Sequence, residues 1–250
     1  MSLTKTRGVV LRTINLKESD RIIEIYSEDL GKVRAVAKGV RKIQSRMAGH
    51  LEPFTYVDLM LARGRGDLST ITGAKAIEHY AALRRDLDAV AVASYLAELV
   101  SRLTPDGQAS RRFPMLLRHG LRALDNHHEP KRVAAYFEWQ AITIAGWEPQ
   151  LYHCANCYQP LQPEDLSFSI TLPGVLCRGC VSSDPEAVSV SPETIKLLRY
   201  YSERTFNEVE GLMVHKAVRQ ETQRLVDRVV RQTLEREPRS KAFLNHLERV

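Results

Sequence analysis

The chain's only four cysteines fall as two pairs, Cys154-x-x-Cys157 and Cys177-x-x-Cys180, with 19 residues between them. A two-residue gap lets one tight turn aim two thiolates at a single ion, and two such turns complete a tetrahedral sulfur set. Four protein ligands leave no open position for an activated water, so one structural Zn²⁺ is expected, held by Cys154, Cys157, Cys177 and Cys180. The intervening sequence explains the need for a metal. Residues 151–184 carry Pro160, Pro163, Pro173, Gly174 and Gly179 and no apolar row long enough for a helix. A segment without a core of its own is held by an ion instead. Two disulfides are the competing arrangement. CxxC pairs rarely form them structurally, and residues 1–14 contain no apolar stretch of the kind a secretory signal needs.

That address bears on the rest of the chain. At 250 residues, 44% apolar and 26% charged, the composition is that of a water-soluble globular protein with one large or two small domains. The longest near-apolar run, residues 89–97, is far too short to span a bilayer, and a cytoplasmic location is expected. The net charge of +6 is unevenly spread. Residues 1–80 hold 14 Lys/Arg against 9 Asp/Glu, whereas residues 81–185 hold 10 against 11. A positive field confined to one third of a chain argues for a polyanionic partner there.

Residues 1–80 have the period of β-structure. Strands are expected over 6–14, 21–26, 32–38, 54–61 and 68–77, each bounded by polar or glycine-containing turns. The third alternates strictly, with Val33, Ala35 and Ala37 on one side and Lys32, Arg34, Val36 and Lys38 on the other. Five short strands in about eighty residues suit a small closed barrel; the OB-fold is the commonest five-stranded kind, and an SH3-like barrel fits the same pattern. After Tyr80 the period becomes helical. Leu83, Leu87 and Val90 begin a helix running to Leu103; Phe113, Leu117, Leu121 and Leu124 mark a second; Phe137, Ala141 and Ile144 mark a third, stopping at Gly146. Beyond the cysteines, Ser191-Pro192-Glu193 is a helix start, with a capping hydroxyl, proline at the first position and an acid favoured by the dipole. Val214, Val218, Leu225 and Val229 define a long helix, and residues 240–247 could form a short last one.

Four cations, Lys38, Arg41, Lys42 and Arg46, fall within nine positions that contain no acid. They occupy the connection leaving the third strand, and loops of OB barrels are where single-stranded nucleic acid lies. Lys32 and Arg34 on the adjoining strand face would continue the track toward phosphates. A solvated basic loop is the plainer alternative. Tyr26 and Tyr56 face away from the inferred apolar side and could stack on bases, with ordinary packing the commoner fate. Arg224, Arg228 and Arg231 share one face of the last long helix, a stripe that is usually solvated. No phosphate-binding glycine motif, G-x-S-x-G or H-E-x-x-H is present. Neither CxxC follows a proline, as a deaminase site would require. His153 adjoins Cys154 but is not needed as a ligand, and His127-His128 reads as a helix end.

The run Lys38-Gly39-Val40-Arg41-Lys42 through Arg46, followed by Leu51-Glu52-Pro53-Phe54, resembles the N-terminal barrel of the RecO family of bacterial DNA repair proteins. Gly8-Val9-Val10-Leu11, Asp20-Arg21 and Gly31-Lys32 fit in order. So do the helical middle, the cysteine insertion and the terminal Ser240-Lys241-Ala242-Phe243-Leu244. The resemblance implies an α+β protein: a five-stranded OB-fold nucleic-acid-binding domain at 1–80, then a helical domain at 81–250 carrying the four-cysteine zinc knob at about 151–184. It also implies a non-enzymatic recombination mediator. Such proteins bind single- and double-stranded DNA, anneal complementary strands and, with RecR, help load RecA onto strands coated by single-strand-binding protein, whose acidic tail docks on their helical part. The expected setting is cytoplasmic and nucleoid-associated. A zinc-ribbon protein-interaction adaptor with incidental basicity and a metal-dependent nucleic-acid enzyme are the alternatives from other classes.

Overall fold

The computed structural model describes residues 3–63, 68–234, 238, 240 and 241. These divide into two compact units, with the break between Ala134 and Ala135 and the described residues from 238 onward belonging to the first.

The first unit is built on five strands, β1 (Leu3–Asn15), β2 (Arg21–Ser27), β3 (Gly31–Ala37), β4 (Tyr56–Ala62) and β5 (Ser69–Glu78). They close in the order β1-β2-β3-β5-β4, the OB arrangement rather than the SH3-like one. The long first strand makes closure possible: its first half pairs with β4 and its second half with β2. A bulge between Val10 and Arg12 bends it where it changes partner. The last seam is a short parallel pairing of Ala35 and Val36 with Ser69 and Thr70. Alternation turns Val10, Ile23, Ile25, Ala35, Ala37, Val57, Leu59 and Leu61 into the barrel, all fully or nearly fully buried. Gly31 has φ +68, and a Cβ there would lie 2.3 Å from the Gln108 carbonyl, so only glycine fits that turn.

Two helices of the same unit, α1 (Leu87–Leu103) and α2 (Arg112–Asp125), pack on the outside of β1 and β2. Asp86 caps α1 by accepting from the amides of Asp88 and Ala89. The end of α2 is a Schellman turn, in which the His127 amide bonds Leu124, the His128 amide bonds Ala123, and His127 takes φ +61. The His127-His128 pair is therefore a helix end, as its sequence suggests.

The division between the units falls within α3 (Pro130–Ile144). The second unit continues with the cysteine segment, then α4 (Pro192–Glu203), a short α5 (Phe206–Glu210) and α6 (Lys216–Leu234). Ser191 caps α4 through the Thr194 amide, with Pro192 in the first turn. Trp139 is fully buried and donates its indole N–H to Ser202 Oγ at 2.8 Å. Val214, expected within the last long helix, precedes its first turn. The expected terminal helix over 240–247 lies, past Lys241, outside the described residues. Among the described residues no helix is long and apolar enough to cross a membrane.

Candidate metal centre and nucleic-acid interface

The cysteine segment corrects one expectation, because it does possess a core. Three short strands, β6 (Ser167–Ser169), β7 (Gly174–Leu176) and β8 (Val188–Ser189), form a sheet in the order β7-β6-β8. Phe168, Val175 and Leu176 are buried in it, and Trp147 lies against Phe168 with ring centroids 6.1 Å apart. The residues involved are too few and too scattered to register as a periodic run. Gly174, at φ +145, lets β7 approach closely: a Cβ would lie 2.5 Å from the Gln150 carbonyl. The Gln150 backbone then bonds the residues on either side of Gly174, its N–H donating to Pro173 O at 2.9 Å and its carbonyl accepting from Val175 N–H at 2.8 Å.

This frame brings the four thiols together. Cys154–Cys157 forms the first turn, closed by Tyr158 N–H on the Cys154 carbonyl and by Tyr158 at φ +60. Cys177–Cys180 opens a 3₁₀ turn, with the Cys180 N–H donating to the Cys177 carbonyl at 2.9 Å. All four Sγ atoms lie within 4.8 Å of one another. Sulfurs bonded at about 2.3 Å around a tetrahedral ion stand about 3.8 Å apart; Cys157 and Cys177 Sγ are 3.8 Å apart. The thiols are free and not disulfide-bonded, and His153 is not among the converging ligands. Burial pushes the Cys154 thiol upward, but the amides of Cys157, Cys177 and Asn156 outweigh it and bring it down to about 6. Cys177 is pushed up to about 11 by desolvation and by its sulfur neighbours. Four thiolates gathered this closely repel one another and call for a cation at their centre. The cluster could hold a metal ion, and its all-sulfur donors fit zinc.

The basic connection belongs to the first unit. Val40 and Leu51 are each 1% exposed within the barrel core, and Met47 packs against it. Between these anchors run two successive turns, closed by Lys42 N–H on Gly39 O and Ser45 N–H on Lys42 O. The β1–β2 loop supports them from the side. Asp20 Oδ1 accepts from the Gly39 amide at 2.8 Å, and the Arg41 amide bonds the Ser19 carbonyl at 3.0 Å. The Gly39 bond is the main force that holds the Asp20 carboxyl below its ordinary range, assisted by Ser19 and the charges of Lys17 and Lys38. Lys38, Arg41, Lys42 and Arg46 are all exposed. Arg41 donates to the Lys17 carbonyl, which places Lys17 beside the patch. Sequence reasoning missed Lys17 because its neighbour Glu18 cancels its charge in any local count; only the packing of the two loops reveals it.

Lys32 and Arg34 are differently placed. The Lys32 ammonium donates to the carbonyls of Ser101 at 2.7 Å and Thr104 at 2.8 Å and pairs with Asp106 at 3.1 Å. It thus caps the C-terminus of α1, with its side chain only 14% exposed. The outward strand face faces a helix end there, so Lys32 does not extend the basic track. Arg34 is half exposed and shares Asp106, at 2.8 Å. Tyr26 and Tyr56 offer no stacking face either. Tyr26 is packed edge-on against Phe113 and donates its hydroxyl to Gln108 O. Tyr56 is covered by the Arg118 guanidinium, 4.0 Å from its ring centroid, and bonded to Glu28. On α6, Arg224 is exposed, whereas Arg228 pairs with Glu186 and Arg231 reaches back to the Asp227 carbonyl.

A closed five-stranded barrel with an exposed, acid-free basic connection, followed in the chain by helices and a four-thiol cluster that could hold a metal ion, places the chain in the OB-fold class of proteins. Family comparison narrows this. The "Recombination protein O N terminal" family matches residues 1–80, and "Recombination protein O C terminal" matches residues 84–242. Proteins named "DNA repair protein RecO" are similar over almost the whole chain. The one from Dehalococcoides mccartyi strain CBDB1 is 33% identical over 97% of this chain and 95% of its own length. That from Desulforudis audaxviator is 35% identical over 99% and 98%, and that from Roseiflexus sp. is 36% identical over 98% and 86%. The chain belongs to the RecO family, and its function lies in DNA repair and recombination.

Proposed function

We propose that the chain is a non-enzymatic recombination mediator that binds single- and double-stranded DNA and anneals complementary strands. With RecR it helps load RecA onto strands coated by single-strand-binding protein. The observation that carries this reading is the ordered, exposed run Lys38, Arg41, Lys42 and Arg46, presented without an acid on an OB barrel. Phosphates of either strand type neutralise such a run by releasing counterions, with little demand on base identity. Residues 1–80 act as the DNA-binding domain and 81–250 as a helical domain carrying the knob. Lys17 joins the contact set, Arg34 borders it, and Lys32 supports it from beneath.

The four cysteines hold one structural Zn²⁺. Cys154 sits deepest and accepts from the surrounding amides, while the other three close the set. When bound, the ion neutralises the gathered thiolates and ties the two turns together. Four thiolates leave no position for a hydrolytic water, which supports a role without turnover. The acidic tail of the single-strand-binding protein docks in the helical part. There a cavity of about 270 Å³ has Val190 and Leu225 in its lining with Arg224 and Arg228 beside them. The setting is the cytoplasm, at the nucleoid.

An annealing assay tests the whole reading, using complementary strands that are bare or coated with single-strand-binding protein, with and without RecR. Bare strands should anneal faster with the chain alone, and coated strands should too; RecA loading should need RecR. Failure to bind or anneal bare strands at low salt would refute the mediator and favour a protein-interaction adaptor.

A further inference from the structure

The basic connection contains one residue that neither phosphate binding nor folding accounts for. Ile43 is 105% exposed, among the most exposed large apolar side chains described. It is the first corner residue of the turn closed by Ser45 N–H on the Lys42 carbonyl at 2.9 Å. Turn corners favour proline and polar residues, and a β-branched apolar residue there satisfies no local preference. The turn is nevertheless held in place. Val40 and Leu51 anchor its flanks in the barrel core, and Asp20 and Ser19 hold Gly39 and Arg41. A stiff aliphatic side chain is thus presented at a fixed point, with Arg41 and Lys42 just before it and Arg46 three residues after.

One isolated apolar side chain is far too small to make a protein interface. It does match the size of the apolar wedges that DNA-binding proteins insert between adjacent bases while cations hold the flanking phosphates. We propose that Ile43 is such a wedge: it enters between neighbouring bases of the DNA held by Arg41, Lys42 and Arg46 and unstacks them. This rests on the DNA-binding reading above and extends it from phosphates to bases.

The test uses the full chain and DNA carrying 2-aminopurine, whose fluorescence rises when it is unstacked. Wild type should bind with steep salt dependence and raise the fluorescence. Ile43→Ser should abolish most of the rise and weaken affinity by about ten-fold or less, as expected for one aliphatic side chain no longer buried, while leaving the salt dependence unchanged. Ile43→Leu should keep the rise. Because the side chain is solvent-exposed in the free protein, neither substitution should alter thermal stability. Binding by wild type without any rise, or an equal rise with Ile43→Ser, overturns the wedge while leaving DNA binding intact. No binding by wild type at low salt overturns the DNA-binding reading itself, and the wedge with it.

Discussion

The division of labour among the basic residues makes a quantitative prediction. Five exposed cations, Lys17, Lys38, Arg41, Lys42 and Arg46, surround the ordered turns, whereas Lys32 and Arg34 share Asp106 and Lys32 also binds two helix-end carbonyls. On single-stranded DNA each phosphate contact contributes about −0.7 to the slope of log affinity against log salt. Five contacts give about −3.5; with Lys32 and Arg34 included the slope would be about −4.9. Replacing Arg41 and Lys42 together by glutamine removes two contacts and should flatten the slope by about 1.4. At 0.1 M salt the same two contacts are worth about 1.4 decades, so affinity should fall about 25-fold, nearly equally for all sequences. The assay is fluorescence anisotropy on a labelled oligonucleotide over a salt series, with circular dichroism as the control for folding. A folded double variant that keeps the wild-type slope and affinity would show the loop to be only a solvated surface.

Lys32→Met provides the converse: it should leave the salt slope unchanged but lower stability by about 1–3 kcal/mol, because two helix-end carbonyls and Asp106 lose their partner. Elemental analysis should find one zinc per chain, and Cys154→Ser, which removes the buried ligand, should lose it and lower the melting temperature; no stoichiometric zinc in the wild type would refute the metal. Glu78 yields a pH prediction. Burial would raise its pKa, but bonds from Arg122, Tyr80 and Arg118 prevail and bring it down to about 2 from 4.5. A depressed carboxyl stabilises the fold above its unfolded value, so this contribution, about 3 kcal/mol at most, is complete above pH 4.5 and is lost as pH falls toward 2. Thermal unfolding across that range should show a shallower acid loss in Glu78→Gln, and an unchanged acid limb would refute the role of this cluster.

What could be read from the sequence was local. Thiols two residues apart must share a turn, whatever lies around them. Strict alternation at Val33, Ala35 and Ala37 sets which strand face is buried, and Ser191-Pro192 caps a helix by chain geometry alone. The acid-free run from Lys38 to Arg46 is likewise a local fact.

Tertiary structure decided which of these groups remain free. Lys32 sits on the outward face of β3 as alternation requires, yet the end of α1 arrives there and takes its ammonium. Tyr26 and Tyr56 also face outward, and Phe113 and Arg118 of α2 cover them. Lys17 joined the basic patch only when the β1–β2 loop met the connection through Arg41. Meeting of the pairs Cys154–Cys157 and Cys177–Cys180 depended on the close approach of Gly174 to Gln150. Spacing along the chain specifies a side chain's direction. Whether that direction leads to solvent, a helix end or another ligand depends on elements dozens of residues away, which only folding brings alongside.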